Sequence, residues 1–243
     1  MVRKLQRAIL REWEELPEFM RVPEVRGYWE ELDRKRPELV CKRIFDVTVS
    51  SILLLFLVVP MAVIAVVIKA DSPGPVFYRQ ERVTAYGRRF RIHKFRTMVA
   101  DADKKGGMVT VKEDRRVTKA GGVLRKYRLD ELPQLLDILA GDMSFVGTRP
   151  EVVKYVKMYK REYRATLLLP AGVTSMASIR YKDESRMLDG AGGDEARIDR
   201  MYIREILPRK MKWNLESIRR FSLSAELATM ARTVLAVFGR EHE

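Results

Sequence analysis

The longest apolar stretch of the chain runs from Ile44 to Ile68 and contains one proline, Pro60. As a straight helix it would rise about 37 Å, at roughly 1.5 Å per residue, which exceeds a hydrocarbon core of roughly 30 Å. Pro60 lacks a backbone donor and clashes with the preceding turn, so it can divide the stretch into legs at 44–59 and 60–69. The pattern predicts a membrane element with its helix break at Pro60.

Basic residues flank this stretch on both sides. Because Lys- and Arg-rich flanks tend to stay in the cytoplasm, the symmetry favours a re-entrant helix whose two ends lie on one face of the membrane. A kinked helix that crosses once is the alternative, since the freed carbonyls can find other partners. Asp46 is the only charge inside the stretch, and its place near the start predicts a position at headgroup level. The flanking residues include Arg34, Lys35, Arg36, Lys42, Arg43, Lys69, Arg79 and Arg82.

Shorter periodic segments predict the rest of the fold. Residues 76–78 and 90–95 have the composition of short strands, whereas leucines at i, i+3, i+4 and i+7 spacing after Pro133 predict a helix. Pro170 to Gly172 predicts a turn. Residues 199–239 predict one or two amphipathic helices, which lie either in the headgroup plane or against the core. We therefore expect an α/β, helix-dominated fold with a few short strands.

The length of 243 residues permits one domain of ordinary size beside the membrane element. We divide the chain into a charged N-terminal extension at 1–40, a re-entrant helix at 41–70 and a cytoplasmic domain with interfacial helices at 71–243. The extension predicts short helices that lie on the membrane or on the main domain.

Composition narrows the chemistry that the chain can perform. A net charge of +14 suggests anionic partners, which include lipid headgroups, phosphorylated substrates and nucleic acid. Cys41 is the only cysteine, and His93 and His242 are the only histidines, so a multi-cysteine or histidine-rich metal site is excluded. The sequence contains no P-loop and no G-x-G-x-x-G motif, so a Walker-type kinase and a dinucleotide-binding fold find no support.

The segment RLDELPQL, which starts at Arg128, is the strongest chemical candidate. Pro133 suits the first turn of a helix, so Asp130 and Glu131 stand at or just before its positive end. One carboxylate could act as nucleophile or metal ligand and its neighbour as general base, which requires two acids in unlike environments. The alternative is a pair of charges that only stabilises the helix N-terminus.

Basic residues from separate segments favour the chemical interpretation. Together they could surround a diphosphate, because guanidinium groups bind phosphate oxygens bidentately and neutralise charge as a bond to phosphorus breaks. Taken singly, each is more simply a solvated surface cation. These residues are Lys94, Arg96, Arg125, Arg128 and Arg149.

Five motifs, in order, resemble the bacterial initiating sugar transferases, which are the monotopic phosphoglycosyl transferases. The likeness covers about residues 41–240. Two positions differ from common family patterns. At the helix break, Val59 precedes Pro60 where relatives often have serine. In the last motif, Thr148 precedes Arg149 where relatives often have proline. The motifs are KRIFD ending at Asp46, DSPGP ending at Pro75, KFRTM ending at Met98, RLDELPQ ending at Gln134 and SFVGTRP ending at Pro150.

The resemblance implies an activity and a role for each site residue. Family members transfer a sugar 1-phosphate from a nucleotide diphosphate sugar, usually UDP-linked, to polyprenyl phosphate, releasing UMP and starting a glycan. The resemblance implies that Asp130 is the nucleophile, with Mg²⁺ near it, and that Glu131 helps to deprotonate the acceptor. It also implies that substrate is bound by Lys94, Arg96, Arg128 and Arg149.

The same resemblance implies a location and a set of partners. We expect the inner (cytoplasmic) membrane of a bacterium, with the catalytic domain facing the cytoplasm, contact with membrane lipids and no nucleic acid. A homo-oligomer stays an open alternative. The main rival is a membrane-tethered basic protein that binds nucleic acid or anionic lipid without catalysis, and a second rival is an inactive relative that serves as a scaffold.

Overall fold

Helices dominate the computed structural model, which describes residues 9–102, 115–181 and 195–237. This confirms the predicted helix-dominated α/β class. A π-helical turn, Tyr202–Ile206, joins the seventh and eighth helices. Over the described ranges the helices are α1 (Pro23–Arg34), α2 (Arg36–Asp71), α3 (Lys119–Lys126), α4 (Gln134–Ala140), α5 (Val153–Val156), α6 (Met176–Arg180), α7 (Glu195–Met201), α8 (Leu207–Arg219) and α9 (Leu223–Val237).

Four strands form two small sheets. Strands β1 (Phe77–Val83) and β2 (Arg89–Phe95) make an antiparallel hairpin. Strands β3 (Met143–Val146) and β4 (Ala171–Thr174) pair in parallel. The predicted turn at Pro170 to Gly172 is therefore wrong. Gly172 instead allows the backbones of β4 and Gly147 to pack closely, because a Cβ on Gly172 would lie 2.1 Å from the Gly147 nitrogen.

Helix α2 contains the apolar stretch and is long and apolar enough to cross a membrane. It continues through Pro60, so the predicted division into two legs stays a prediction. One face of α2 packs on the rest of the protein from Leu39 to Ile68. The opposite face exposes large apolar side chains to the surroundings. They include Ile52, Leu55, Phe56, Val59, Val63, Val66 and Val67.

Both ends of α2 are held by the same body of the protein. Near its start, Arg43 donates to the carbonyl of Ile138 at 2.6 Å. Asp46 is buried and accepts a hydrogen bond from the Ser144 hydroxyl at 2.7 Å, and its position at headgroup level stays a prediction. At the other end, Asp71 accepts a hydrogen bond from the Ala120 backbone nitrogen at 3.0 Å.

The N-terminal segment belongs to the largest hydrophobic core. Leu10, Met20 and Leu32 are fully buried and pack in one cluster with Leu207 and Met211 of α8. Of the two predicted placements, the structure shows contact with the main domain. The apolar face of α8 is likewise covered by protein. Helix α9 differs, since it leaves Leu227, Val234 and Leu235 exposed.

Candidate active site

Asp130 and Glu131 lie on a single turn of 3₁₀-helix, Leu129–Glu131, between α3 and α4. The chain enters this turn through Arg128, whose backbone is left-handed with φ 56°. The leucines that flank the acids face α2, in a hydrophobic cluster that also contains Ile68, Phe95 and Leu124. Its partly buried members are Met61, Ile64, Ala65, Val76, Leu129 and Leu132. This packing fixes the acidic pair beside the segment of α2 that follows Pro60.

Glu131 is the centre of the ionic contacts in the site. Its Oε1 accepts hydrogen bonds from Lys94 Nζ at 2.8 Å and from Arg149 Nη2 at 2.9 Å. Burial opposes ionisation of this carboxyl, but the charges of Arg149 and Lys94 outweigh it and hold the pKa of Glu131 well below its usual range. Glu131 is therefore a fixed anion that orients two cations.

Asp130 has a different environment from its neighbour. Its Oδ2 lies 3.9 Å from Lys94 Nζ, beyond hydrogen-bond distance. Burial raises the pKa of Asp130, and the attraction of Lys94 offsets only part of that effect. Burial also lowers the pKa of Lys94, against the pull of Glu131. The adjacent acids thus have pKa values shifted in opposite directions, the arrangement that a division of catalytic roles requires.

A cavity of about 450 Å³ opens beside these residues. Arg128 and Glu131 line it, together with Arg125, whose Nε donates to the Thr97 hydroxyl at 2.9 Å. The structure therefore brings together Lys94, Arg149 and the acidic pair by direct contacts, and adds Arg125 and Arg128 through the shared cavity.

Arg96 lies elsewhere, at the end of α2. It is only 5% exposed, and its guanidinium donates to the carbonyls of Pro73 and Ser72, each at 2.7 Å. A Cβ on Gly74 would meet its Nη1 at 2.0 Å, so the turn closes directly over this side chain. The structure does not bring Arg96 to the carboxylates, and its role in substrate binding stays a prediction.

The sequence did not single out Asp137, which joins α4 to β2. Asp137 is buried, and its carboxylate contacts both the backbone nitrogen of His93 at 2.9 Å and His93 Nδ1 at 2.6 Å. Because His93 precedes Lys94, this contact fixes the strand from which Lys94 reaches Glu131. An acid at a buried position of an amphipathic helix was the available signal.

The fit of a metal ion depends on the substrate. No group of three or more His, Cys, Asp or Glu side chains that could hold a metal occurs in the ranges that the structure describes. Mg²⁺ is usually bound by one or two carboxylates together with substrate phosphates and water. Glu131 is already engaged by two cations, so Asp130 is the member of the pair that can supply such a carboxylate. The residues fit Mg²⁺ only as part of a complex with a diphosphate.

These features define a class of protein. A partly buried acid with a raised pKa, cations placed to neutralise phosphate and an adjoining apolar helix suit an enzyme that transfers phosphate-linked groups at a lipid surface.

The chain belongs to the bacterial sugar transferases, since that family's model matches residues 37–240. This confirms the family predicted from the motifs, and with it a transferase. A putative undecaprenyl-phosphate N-acetylgalactosaminyl 1-phosphate transferase of Bacillus subtilis (strain 168) is 40% identical over 124 residues, 51% of this chain and 69% of that protein.

Two longer relatives match most of this chain. The UDP-N-acetylgalactosamine-undecaprenyl-phosphate N-acetylgalactosaminephosphotransferase of Aeromonas hydrophila is 34% identical over 82% of this chain and 44% of its own length. The UDP-glucose:undecaprenyl-phosphate glucose-1-phosphate transferase of Escherichia coli (strain K12) is 31% identical over 81% of this chain and 40% of its own length. The chain therefore spans less than half of each.

Proposed function

We propose that the chain transfers a sugar 1-phosphate from a UDP-sugar to polyprenyl phosphate, through a covalent intermediate on Asp130, and so starts the assembly of a glycan. The observation that carries the proposal is a contrast in geometry. Glu131 Oε1 accepts hydrogen bonds from Lys94 Nζ at 2.8 Å and Arg149 Nη2 at 2.9 Å, whereas Asp130 Oδ2 lies 3.9 Å from Lys94 Nζ. The names of the relatives, which act on UDP-sugars and undecaprenyl phosphate, support the choice of substrates.

In the first step a carboxylate oxygen of Asp130 attacks the phosphorus that carries the sugar. The bond from that phosphorus to the bridging oxygen breaks, and UMP leaves with the electron pair. Lys94 and Arg149 neutralise the charge that develops on the phosphoryl oxygens. Because Asp130 makes no hydrogen bond to Lys94, its oxygen is weakly stabilised in the ground state and correspondingly reactive.

In the second step an oxygen of polyprenyl phosphate attacks the same phosphorus, and the Asp130 carboxylate leaves unchanged. Two transfers replace one, so the soluble donor and the lipid acceptor bind in turn. Glu131 is a weak base while Lys94 and Arg149 hold it. It accepts the acceptor's proton once phosphate oxygens have taken over these cations.

Bound Mg²⁺ would supply further charge neutralisation on the diphosphate. Asp130 would hold it together with the substrate.

The geometry of α2 supports the re-entrant topology. A helix that crossed the membrane once would place its ends on opposite sides, yet Arg43 near the start and Asp71 at the end both contact one body. The exposed apolar face between them suits contact with lipid. We place this body on the cytoplasmic side of the inner membrane, as the basic flanks predict.

Thiol labelling tests this topology. Cys41 is exposed near the start of α2, and a cysteine introduced by Ala70→Cys would stand near its end. A membrane-impermeant maleimide should label both in inside-out vesicles and neither in right-side-out vesicles. Labelling of the two sites from opposite sides would overturn the re-entrant topology.

Release of UMP from a panel of UDP-sugars, with polyprenyl phosphate and Mg²⁺, tests the activity. Wild-type protein should release UMP with at least one sugar, and Asp130→Asn should lose activity by about 10⁶-fold, as removal of a nucleophile does. Asp33→Asn, on α1, is the matched control, because Asp33 pairs with Arg36 in the N-terminal part of the fold, outside the candidate site. Without acceptor, a sugar phosphate should add to wild type and be absent from Asp130→Asn by mass spectrometry.

A binding protein without catalysis would behave differently in the same assays. It would release no UMP from any sugar, and its affinity for anionic lipid or nucleic acid would fall steeply with salt and survive Asp130→Asn.

A further inference from the structure

The cavity beside the acidic pair has two chemically distinct parts. One end carries the guanidinium groups and the carboxylate, from Arg125, Arg128 and Glu131, with Lys126 nearby. The remainder is lined mainly by apolar side chains from several elements. They are Leu53, Leu57, Leu132, Leu135, Phe145, Val173, Ile179 and Ala236. Such a division matches a ligand with an anionic head and an apolar body.

Helix α9 closes one side of this cavity with Thr233 and Ala236. The Thr233 hydroxyl is 2.7 Å from the Thr174 hydroxyl on β4, which fixes the second half of the helix. Near its start, Glu226 forms an ion pair with Lys42 of α2. The wall is therefore built by polar contacts, in addition to apolar packing.

The apolar part of the cavity is continuous with the lipid-facing surface of α2. Leu53 and Leu57 line the cavity, whereas Ile52, Leu55 and Phe56, on the same turns of the helix, are at least half exposed, at 50%, 75% and 73%. A chain that enters from the membrane can thus stay in contact with apolar side chains as far as the acidic pair.

We infer that this cavity binds the lipid acceptor, with the first isoprene units between α2 and α9 and the phosphate at Arg125 and Arg128. The inference rests on the proposed function and adds a role for α9 in acceptor recognition. Apart from Thr174, Ser178 and Thr233, the walls away from the charged end are apolar and offer few partners for a nucleoside, so the occupant is the prenyl chain of the acceptor.

A tryptophan at position 236 tests the inference, because it would fill the cavity from the α9 side. Ala236→Trp should raise the KM for geranylgeranyl phosphate by about tenfold or more, as loss of several methylene contacts does. UMP formation from UDP-sugar in the absence of acceptor should keep its wild-type amplitude of one per enzyme. Val234→Trp is the matched control, since Val234 is 55% exposed on the same helix and should leave both measurements unchanged.

Acceptor length gives a second readout. Isopentenyl phosphate, which has one isoprene unit, should be affected less by Ala236→Trp than geranylgeranyl phosphate is, because a shorter chain has fewer contacts with the α9 wall to lose. If Ala236→Trp misfolds and loses the UMP burst, Ala236→Leu, a smaller filling, provides the same comparison.

Three outcomes would overturn the inference. A normal KM for geranylgeranyl phosphate in a folded Ala236→Trp or Ala236→Leu enzyme would show that the chain binds elsewhere. Loss of the UMP burst in a folded Ala236→Leu enzyme would assign the cavity to the nucleotide. An equal loss for both acceptor lengths would show a general effect on the site. Failure of the proposed function is distinguishable, since wild type would then release no UMP.

Discussion

Glu131 in the site and Glu151 in the core are two buried glutamates that each lie among basic side chains. They differ in how exposed those basic side chains are and in whether a second acid lies beside them. Glu151 accepts a hydrogen bond from the Tyr202 hydroxyl at 2.5 Å and lies 3.4 Å from Lys210 Nζ. Burial opposes ionisation at both positions, and at both the cations outweigh it and lower the pKa.

The difference lies in access to the surroundings. The side chain of Lys210 is 6% exposed, whereas those of Lys94 and Arg149 are 19% and 33% exposed. Only Glu131 has a second acid beside it, with the opposite pKa shift. A buried ion pair alone is thus not a sign of catalysis. An open side and a neighbouring acid of unlike pKa are the distinguishing features.

The two regions are also connected through the chain. Arg149 and Glu151 flank Pro150, whose carbonyl accepts a hydrogen bond from Arg82 Nη1 at 3.1 Å. The backbone carbonyl of Glu151 accepts a further bond from the Val83 nitrogen at 3.0 Å. The core cluster therefore fixes the segment that directs Arg149 into the site.

Among the changes that test this comparison, replacement of Glu131 should have the largest effect on activity. Glu131→Gln should lower kcat/KM by about 10²- to 10⁴-fold, the range that loss of a general acid or base produces. The amide can neither accept a proton nor balance Lys94 and Arg149. UMP release with acceptor present measures the effect. A loss no greater than that of Glu151→Gln would remove the distinction between the two glutamates.

Replacing the core glutamate should affect stability more than chemistry. Glu151→Gln leaves Lys210 buried without its anion and should lower the free energy of unfolding by about 3–5 kcal/mol. Denaturant unfolding in detergent measures it. Glu216→Gln is the matched control, because Glu216 pairs with Arg220 on the surface of α8 and should change stability by at most about 0.5 kcal/mol. Equal stability of Glu151→Gln and Glu216→Gln would contradict the stabilising role assigned to Glu151.

Local signals were sufficient for much of this fold. The apolar stretch predicted α2, and the composition of residues 76–78 and 90–95 predicted strands at the positions of β1 and β2, although β1 extends to Val83. The carboxylates were found because Pro133 marks a helix start and because two acids precede it. These features depend on residues that are close together in sequence.

Long-range contacts account for what the sequence did not reveal. Strand β4 exists because its residues pair with β3, 28 positions earlier at Met143 and Ala171, and no local pattern encodes that pairing. Arg96 carries the same charge as Lys94, yet it caps the end of α2 because Ser72 and Pro73 turn back over it. Charge and spacing alone do not separate a site cation from a structural one.

The smallest predicted effect is on the pH dependence of stability. Asp130 has a raised pKa in the folded protein, so its ionisation disfavours the folded state as pH rises above its ordinary pKa of about 3.9. Asp130→Asn removes this term and should unfold at a higher temperature than wild type at pH 7. The gap should narrow as pH falls toward 4, because the acid is then increasingly protonated in both states.

Glu131 supplies the opposite sign within the same site. Its lowered pKa contributes stability above its ordinary pKa of about 4.3, and that contribution is lost only as pH falls through the lower folded value. Glu131→Gln should therefore be less stable than wild type at pH 7, whereas Asp130→Asn should be more stable. Thermal unfolding in detergent at pH 4, 5.5 and 7 separates the two. If both variants lost stability at pH 7, the two acids would have like environments and the proposed division of roles would fail.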